Sequence, residues 1–107
     1  MDYRYGSHTV FQIEYHFVWV TKYRYKVLTA EVAERVRELV RQVCATFEIR
    51  IVSGVVSKDH VHILVSAPPN MAPSEIVRRI KGNTSSRLFE ECPHLKKRYW
   101  GRHFWAR

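Results

Sequence analysis

The segment Lys58–Ser66 reads KDHVHILVS, and its two histidines, His60 and His62, are the sharpest chemical signal in the chain. On a β-strand, residues two apart lie on one face, with Cα atoms about 7 Å apart. Two imidazoles at that spacing can converge on one cation. Asp59 is one residue away and could orient a ligand imidazole, contact a water on the metal, or join the site itself. A divalent ion such as Mg²⁺ or Mn²⁺ needs more than two imidazoles, so further oxygen ligands must come from water, a carboxylate, an amide or a phosphate. Taken alone, His-x-His also describes two surface histidines on a strand, which is the commoner occurrence. His16 is a second candidate, because strand alternation puts it on the same side as the pair. A surface or hydrogen-bonded histidine is the simpler reading of it. His8, His94 and His103 fall in expected loops or edges, and nothing singles them out.

Three segments carry clustered cations, two of them with aromatics between: Lys22–Lys26 (KYRYK), Arg78–Lys81 (RRIK) and Lys96–Trp100 (KKRYW). Cations neutralise phosphates and release counterions, while aromatic rings offer stacking surfaces to unpaired bases. Lys22, Arg24, Lys26, Arg78, Arg79, Lys81 and Arg98 are therefore the candidate nucleic-acid contacts. The whole chain agrees with an acidic partner, with 18 Lys and Arg against 10 Asp and Glu, a formal charge of +8. A solvated basic surface is the alternative.

The elements that must position these residues follow from periodicity. Val10–Val20 alternates, with Phe11, Ile13, Tyr15, Phe17 and Trp19 on one side and Gln12, Glu14 and His16 on the other, which predicts a strand. Thr21–Lys26 follows as a basic, aromatic loop. Thr29 is placed to cap a helix whose apolar side is Val32, Val36, Leu39, Val40, Val43 and Phe47. Ile49–Val56 reads as a second strand, Ser57–Asp59 as a turn, and His60–Ala67 as a third strand ended by Pro68, Pro69 and Asn70. Pro73 suits the first turn of a second helix, with Ile76, Val77, Ile80, Leu88 and Phe89 on its apolar side. Gly82 in its middle is expected to pack closely on the sheet, with close approach of DNA as the alternative. Leu95–Arg107 should be a loop entering a fourth strand near His103–Arg107. Strand, helix, strand, strand, helix, strand is the split βαβ order of a ferredoxin-like α+β fold. It predicts an antiparallel sheet with both helices on one face and the His60–His62 side open.

The 107 residues, 46% of them apolar, suffice for one domain spanning 1–107. No secretory leader or membrane-spanning run is visible, and Cys44 and Cys92 lack CxxC spacing. A reducing cytoplasm and no membrane partner are expected. There is no P-loop, no nucleophile elbow, no CxxC knuckle, and no second His-x-Thr or His-x-Ser as paired-histidine phosphoesterases need.

Four stretches together carry a family resemblance: Tyr15–Leu28 (YHFVWVTKYRYKVL), Val55–Leu64 (VVSKDHVHIL), Ile76–Leu88 (IVRRIKGNTSSRL) and Leu95–Trp105 (LKKRYWGRHFW). In this order the chain resembles the IS200/IS605-family transposases, the Y1 or HUH single-strand DNA transposases. The resemblance implies a homodimer, Mg²⁺ or Mn²⁺ held through His60 and His62, and recognition of a hairpin in single-stranded DNA at transposon ends. It implies cutting and rejoining through a covalent 5′-phosphotyrosine, with a free 3′-hydroxyl released. In the family the nucleophilic tyrosine lies on a helix beyond the Trp-containing strand, followed one turn later by a further metal ligand. None of Tyr3, Tyr5, Tyr15, Tyr23, Tyr25 and Tyr99 matches it, so the chain as given is expected to lack that helix and to be inactive in cleavage. A non-catalytic module binding single-stranded DNA or RNA on the same fold is the competing expectation.

Overall fold

The computed structural model describes residues 12–99 and 103–107. Strands β1 (Ile13–Val20), β2 (Arg50–Val56) and β3 (His60–Ala67) form an antiparallel sheet in the order β1-β3-β2. Helix α1 (Ala30–Thr46) connects β1 to β2, and α2 (Pro73–Glu91) follows β3. This is the α+β, split βαβ arrangement that the periodicity predicts. Val10 and Phe11 lie outside the described residues.

Alternation in β1 buries Phe17 and Trp19 and leaves Glu14, His16 and Val18 exposed. Val61, Ile63, Val65 and Ala67 are buried on the matching face of β3. They share one core with Val36, Leu39, Val40 and Val43 of α1 and with Ile76, Ile80 and Leu88 of α2. Both helices therefore cover the same side of the sheet. Each such side chain contributes about 1.5–3 kcal/mol on burial, and that sum fixes which face of β3 remains open.

Strand β2 contains a bulge that periodicity did not reveal. Its register steps from Ile51↔Val65 to Ser53↔Leu64, leaving Val52 without a partner. Beyond the bulge, Gly54 lies opposite Ile63, and a Cβ there would come within 2.9 Å of Ile63 Cγ2. Only glycine allows that approach.

Four expectations need correction. The expected fourth strand, His103–Arg107, makes one bridge, Thr21↔Trp105, flanked by Lys22 N–H to the Phe104 carbonyl (2.9 Å) and Ala106 N–H to the Val20 carbonyl (2.8 Å). It does lie antiparallel beside the end of β1. However, Phe104 and Trp105 are consecutive and both buried, whereas a regular strand sends neighbours to opposite faces. Leu95 and Lys96, the start of the expected loop, belong to a one-turn helix, α3 (Pro93–Lys96). Thr29 occupies the position before α1 in extended conformation, but its side chain makes no capping bond, and Ala30 has φ 45°. Gly82 is exposed with nothing within 4 Å of a built Cβ, so close packing does not explain it. Among the described residues, no helix is long and apolar enough to cross a membrane.

Candidate metal centre and nucleic-acid interface

The central strand β3 carries His60 and His62 on the open face. Across the sheet, His62 stands in register between Val18 of β1 and Val55 of β2, which are 61% and 59% exposed. His16 is paired with Leu64, so it is the diagonal neighbour of His62 on that face. The two rings meet edge to face with centroids 5.0 Å apart. The structure thus places His16 beside the pair, on the side that alternation predicts.

Asp59 sits at the β2–β3 turn, which Ser57 N–H closes onto the His60 carbonyl at 2.8 Å. Its Oδ1 is 2.9 Å from His60 Nδ1. Its Oδ2 accepts two bonds from Arg24, from Nε at 3.2 Å and from the terminal nitrogen at 3.1 Å. The His60 contact is the largest influence on the Asp59 carboxyl and, with Arg24, holds it below the usual carboxylate range against the opposing effect of burial. An ionised carboxylate only accepts hydrogen bonds. Nδ1 is therefore the donor in the 2.9 Å contact, and in a neutral imidazole the lone pair then sits on Nε2. Both Asp59 oxygens are engaged within the chain, so this carboxylate supports His60 from behind. No cluster of three His, Cys, Asp or Glu side chains set for a metal occurs among the described residues. The donor set is two imidazoles on one face, which suits a divalent ion that completes its shell with oxygens.

The loop after β1 grips the same turn. Thr21 N–H donates to the Asp59 carbonyl, and Leu28 N–H to the Lys58 carbonyl, both at 2.9 Å. Within the loop, the buried Thr21 hydroxyl donates to the Tyr25 carbonyl at 2.7 Å, and Arg24 N–H to the Thr21 carbonyl at 2.9 Å. Tyr23 and Arg24 have φ 62° and 53°, a left-handed conformation costing roughly 1–2 kcal/mol for each non-glycine residue. The surrounding hydrogen bonds offset that cost. Thr21 was not legible as a site residue, since its only sequence signal is its place at the strand end.

Two of the three basic segments come together. Tyr23, Tyr25 and Tyr99 cluster, with Tyr23–Tyr99 centroids 6.5 Å and Tyr25–Tyr99 centroids 5.4 Å apart. The Arg98 guanidinium lies 4.5 Å from the Tyr25 ring centroid, and the Lys22 ammonium 5.1 Å from that of Tyr23. Tyr23 is 56% exposed, and Lys26 is exposed. The third segment lies on α2. There Arg78 and Arg79 both bind Glu75, at 2.7 and 2.6 Å, and hold its carboxyl below its ordinary range. Lys81 donates to the Ala106 carbonyl at 2.8 Å, and partial burial lowers its pKa. Arg78, Lys81, Lys96 and Arg107 line an open groove of about 1200 Å³ along α2. Trp100 lies outside the described residues.

Tyr15 lies on the opposite face of the sheet from the histidine pair. Tyr15 stacks on Phe17 at 5.7 Å, on the helix-covered side. Tyr99 is buried, which pushes its phenol up to about 12. Tyr3 and Tyr5 lie outside the described residues.

Residues 9–107 match the family model described as Transposase IS200 like. The chain belongs to the IS200-like transposase family. It is 38% identical over 100 residues to the ISDra2 transposase TnpA of Deinococcus radiodurans, covering 94% of this chain and 71% of that protein. It is 34% identical over 101 residues to the transposase for insertion sequence element IS200 of Salmonella typhimurium, covering 94% of this chain and 66% of that protein. A crystal structure of a candidate transposase from Deinococcus radiodurans R1 superposes with TM-score 0.86 at 35% identity, over 96% of this chain and 79% of that one. A REP-associated tyrosine transposase, solved bound to a REP hairpin, shares the fold with TM-score 0.62 at 19% identity, over 99% of this chain and 57% of that one. IS200-like membership thus rests on nearly the full length of the chain, of which KDHVHIL is one short part.

Proposed function

We propose that this IS200-like transposase binds hairpin-containing single-stranded DNA at transposon ends and takes part in its cutting and rejoining through a 5′-phosphotyrosine, with Mg²⁺ or Mn²⁺ at His60 and His62. The observation that carries the reading is the paired imidazoles on the open face of β3, with Asp59 set against Nδ1 of His60. When bound, the cation supplies positive charge that polarises the scissile phosphate. His60 and His62 hold it, and Asp59 acts through His60 as an outer support. In this reading none of the described tyrosines is the nucleophile. Tyr15 faces the core, and Tyr23, Tyr25 and Tyr99 form the stacking cluster.

The DNA-facing part is the Lys22–Lys26 loop with Arg98, together with Arg78, Lys81 and Lys96 of the α2 groove and Arg79 on the same helix. The exposed Tyr23 ring beside these cations suits an unpaired base on a phosphate backbone. The active species is a homodimer. Support comes from β2 and most of β1 being sheet edges among the described residues, because unpaired edges tend to find partners. Cys44 and Cys92 are free thiols, which agrees with action in the cytoplasm.

Fluorescence anisotropy with matched hairpin, linear and duplex oligonucleotides tests the binding. Tighter binding of the hairpin or linear strand, falling steeply with salt, is expected. Equal affinity for all three would leave only nonspecific charge and sink the reading.

A further inference from the structure

Arg24 reads in the sequence as one cation of a basic, aromatic loop, and in the structure it pairs with Asp59. Its guanidinium donates twice to Asp59 Oδ2, leaving Oδ1 aimed at His60 Nδ1 at 2.9 Å. The side chain is 65% exposed and the carboxylate 18%, so the pair stands at the rim of the open face. The loop that carries Arg24 is tied to the same turn by main-chain bonds from Thr21 to Asp59 and from Leu28 to Lys58. The left-handed pair Tyr23–Arg24 reverses the loop, and the guanidinium ends on Asp59.

We infer that Arg24 is a positioning residue of the histidine pair: it fixes the Asp59 carboxylate, which in turn fixes the orientation and tautomer of His60. The inference rests on the metal reading above only for its purpose; the brace itself exists without a cation. A carboxylate on one imidazole nitrogen holds the ring plane and leaves the other nitrogen as donor. Without Arg24, nothing in this contact set keeps Oδ2 turned away from the ring, and Asp59 can rotate towards water. As an exposed ion pair, Arg24–Asp59 adds little to folding stability, so its effect must be read at His60 rather than in melting.

The test uses the metal-free 107-residue protein with ¹⁵N-labelled histidine at pH 8, read by long-range ¹H–¹⁵N correlation. Wild-type His60 should carry its proton on Nδ1. Arg24→Ala should move His60 towards the Nε2–H form that free imidazole side chains favour, with His16 and His62 as internal controls and an unchanged melting temperature. Arg24→Lys should restore the Nδ1–H form only in part, since one ammonium cannot make the two-bond contact. Titration with Mn²⁺ should show about tenfold weaker binding for Arg24→Ala and for Asp59→Ala, with the double variant no weaker than either single one. His60 on Nε2–H in the wild type, or an unaltered tautomer in Arg24→Ala, overturns the brace even if Mn²⁺ binds. An Arg24-dependent tautomer in a protein that takes up no Mn²⁺ supports the brace and overturns the metal reading alone.

Discussion

The indole N–H of Trp105 donates to the hydroxyl of Thr84 at 2.8 Å, inside the core, while that hydroxyl donates to the Ile80 carbonyl at the same distance. One buried threonine thus pins the C-terminal segment to α2. Trp105 also meets Trp19 edge to face at 5.9 Å, so the contact joins α2, the C-terminal segment and β1. Thr84→Val keeps the shape and removes the acceptor. It should destabilise folding by about 1–3 kcal/mol, the cost of an unsatisfied buried donor, measured by urea denaturation. Thr84→Ser should cost less. Equal stability of Thr84→Val and wild type would mean that the indole finds another partner.

Two glycine replacements should act in opposite directions. Gly54→Ala drives a Cβ to 2.9 Å from Ile63 Cγ2, a buried, β-branched neighbour with little room to give. A loss of about 1–3 kcal/mol is expected. Gly82→Ala meets nothing within 4 Å in mid-helix and should gain about 0.5–1 kcal/mol. Chemical denaturation of both variants checks the pair, and a destabilised Gly82→Ala would restore a packing role for that glycine.

The cysteines should differ in reactivity. Burial in α1 pushes the Cys44 thiol up to about 11, while Cys92 is partly exposed. At pH 8 a disulfide reagent should label Cys92 in the native protein and reach Cys44 only on unfolding. The same shift has a sign for stability. The unfolded chain loses the Cys44 proton first, so this group makes folding less favourable as pH rises from about 9.0 towards about 11. Rapid labelling of Cys44 in the native state would contradict its place under the sheet.

Changing any of Tyr15, Tyr23, Tyr25 and Tyr99 to Phe should leave unaltered the protein's capacity to form a covalent adduct with a labelled hairpin in Mg²⁺ or Mn²⁺. A nucleophile must be positioned in line with the phosphate, and the described tyrosines are committed to the core or to the stacking cluster. Denaturing electrophoresis reads the outcome. A band lost on changing one of these four tyrosines to Phe would identify a nucleophile in the core or the stacking cluster.

Much of this was legible because period two is a local signal. Phe17–Trp19 and Val61–Ile63–Val65 define the covered face of the sheet, and His16, His60 and His62 must then share the other. The helices were legible from Val36–Leu39–Val43 and Ile76–Ile80 spacing for the same reason. What was not legible depends on contacts distant in sequence. Arg24 and Asp59 are 35 residues apart, and Thr84 and Trp105 are 21 apart. Nothing in KYRYK marks Arg24 as the partner of the Asp59 carboxylate. The bulge at Val52 and the adjacent burial of Phe104 and Trp105 break the alternation on which strand reading depends.

The proposed metal centre requires His60 and His62 to act as one site. Isothermal titration of the protein with Mn²⁺ should give a saturable signal that either His60→Ala or His62→Ala removes, with melting temperature unchanged because both side chains face away from the core. Equal Mn²⁺ binding by the wild type and the double variant would contradict it.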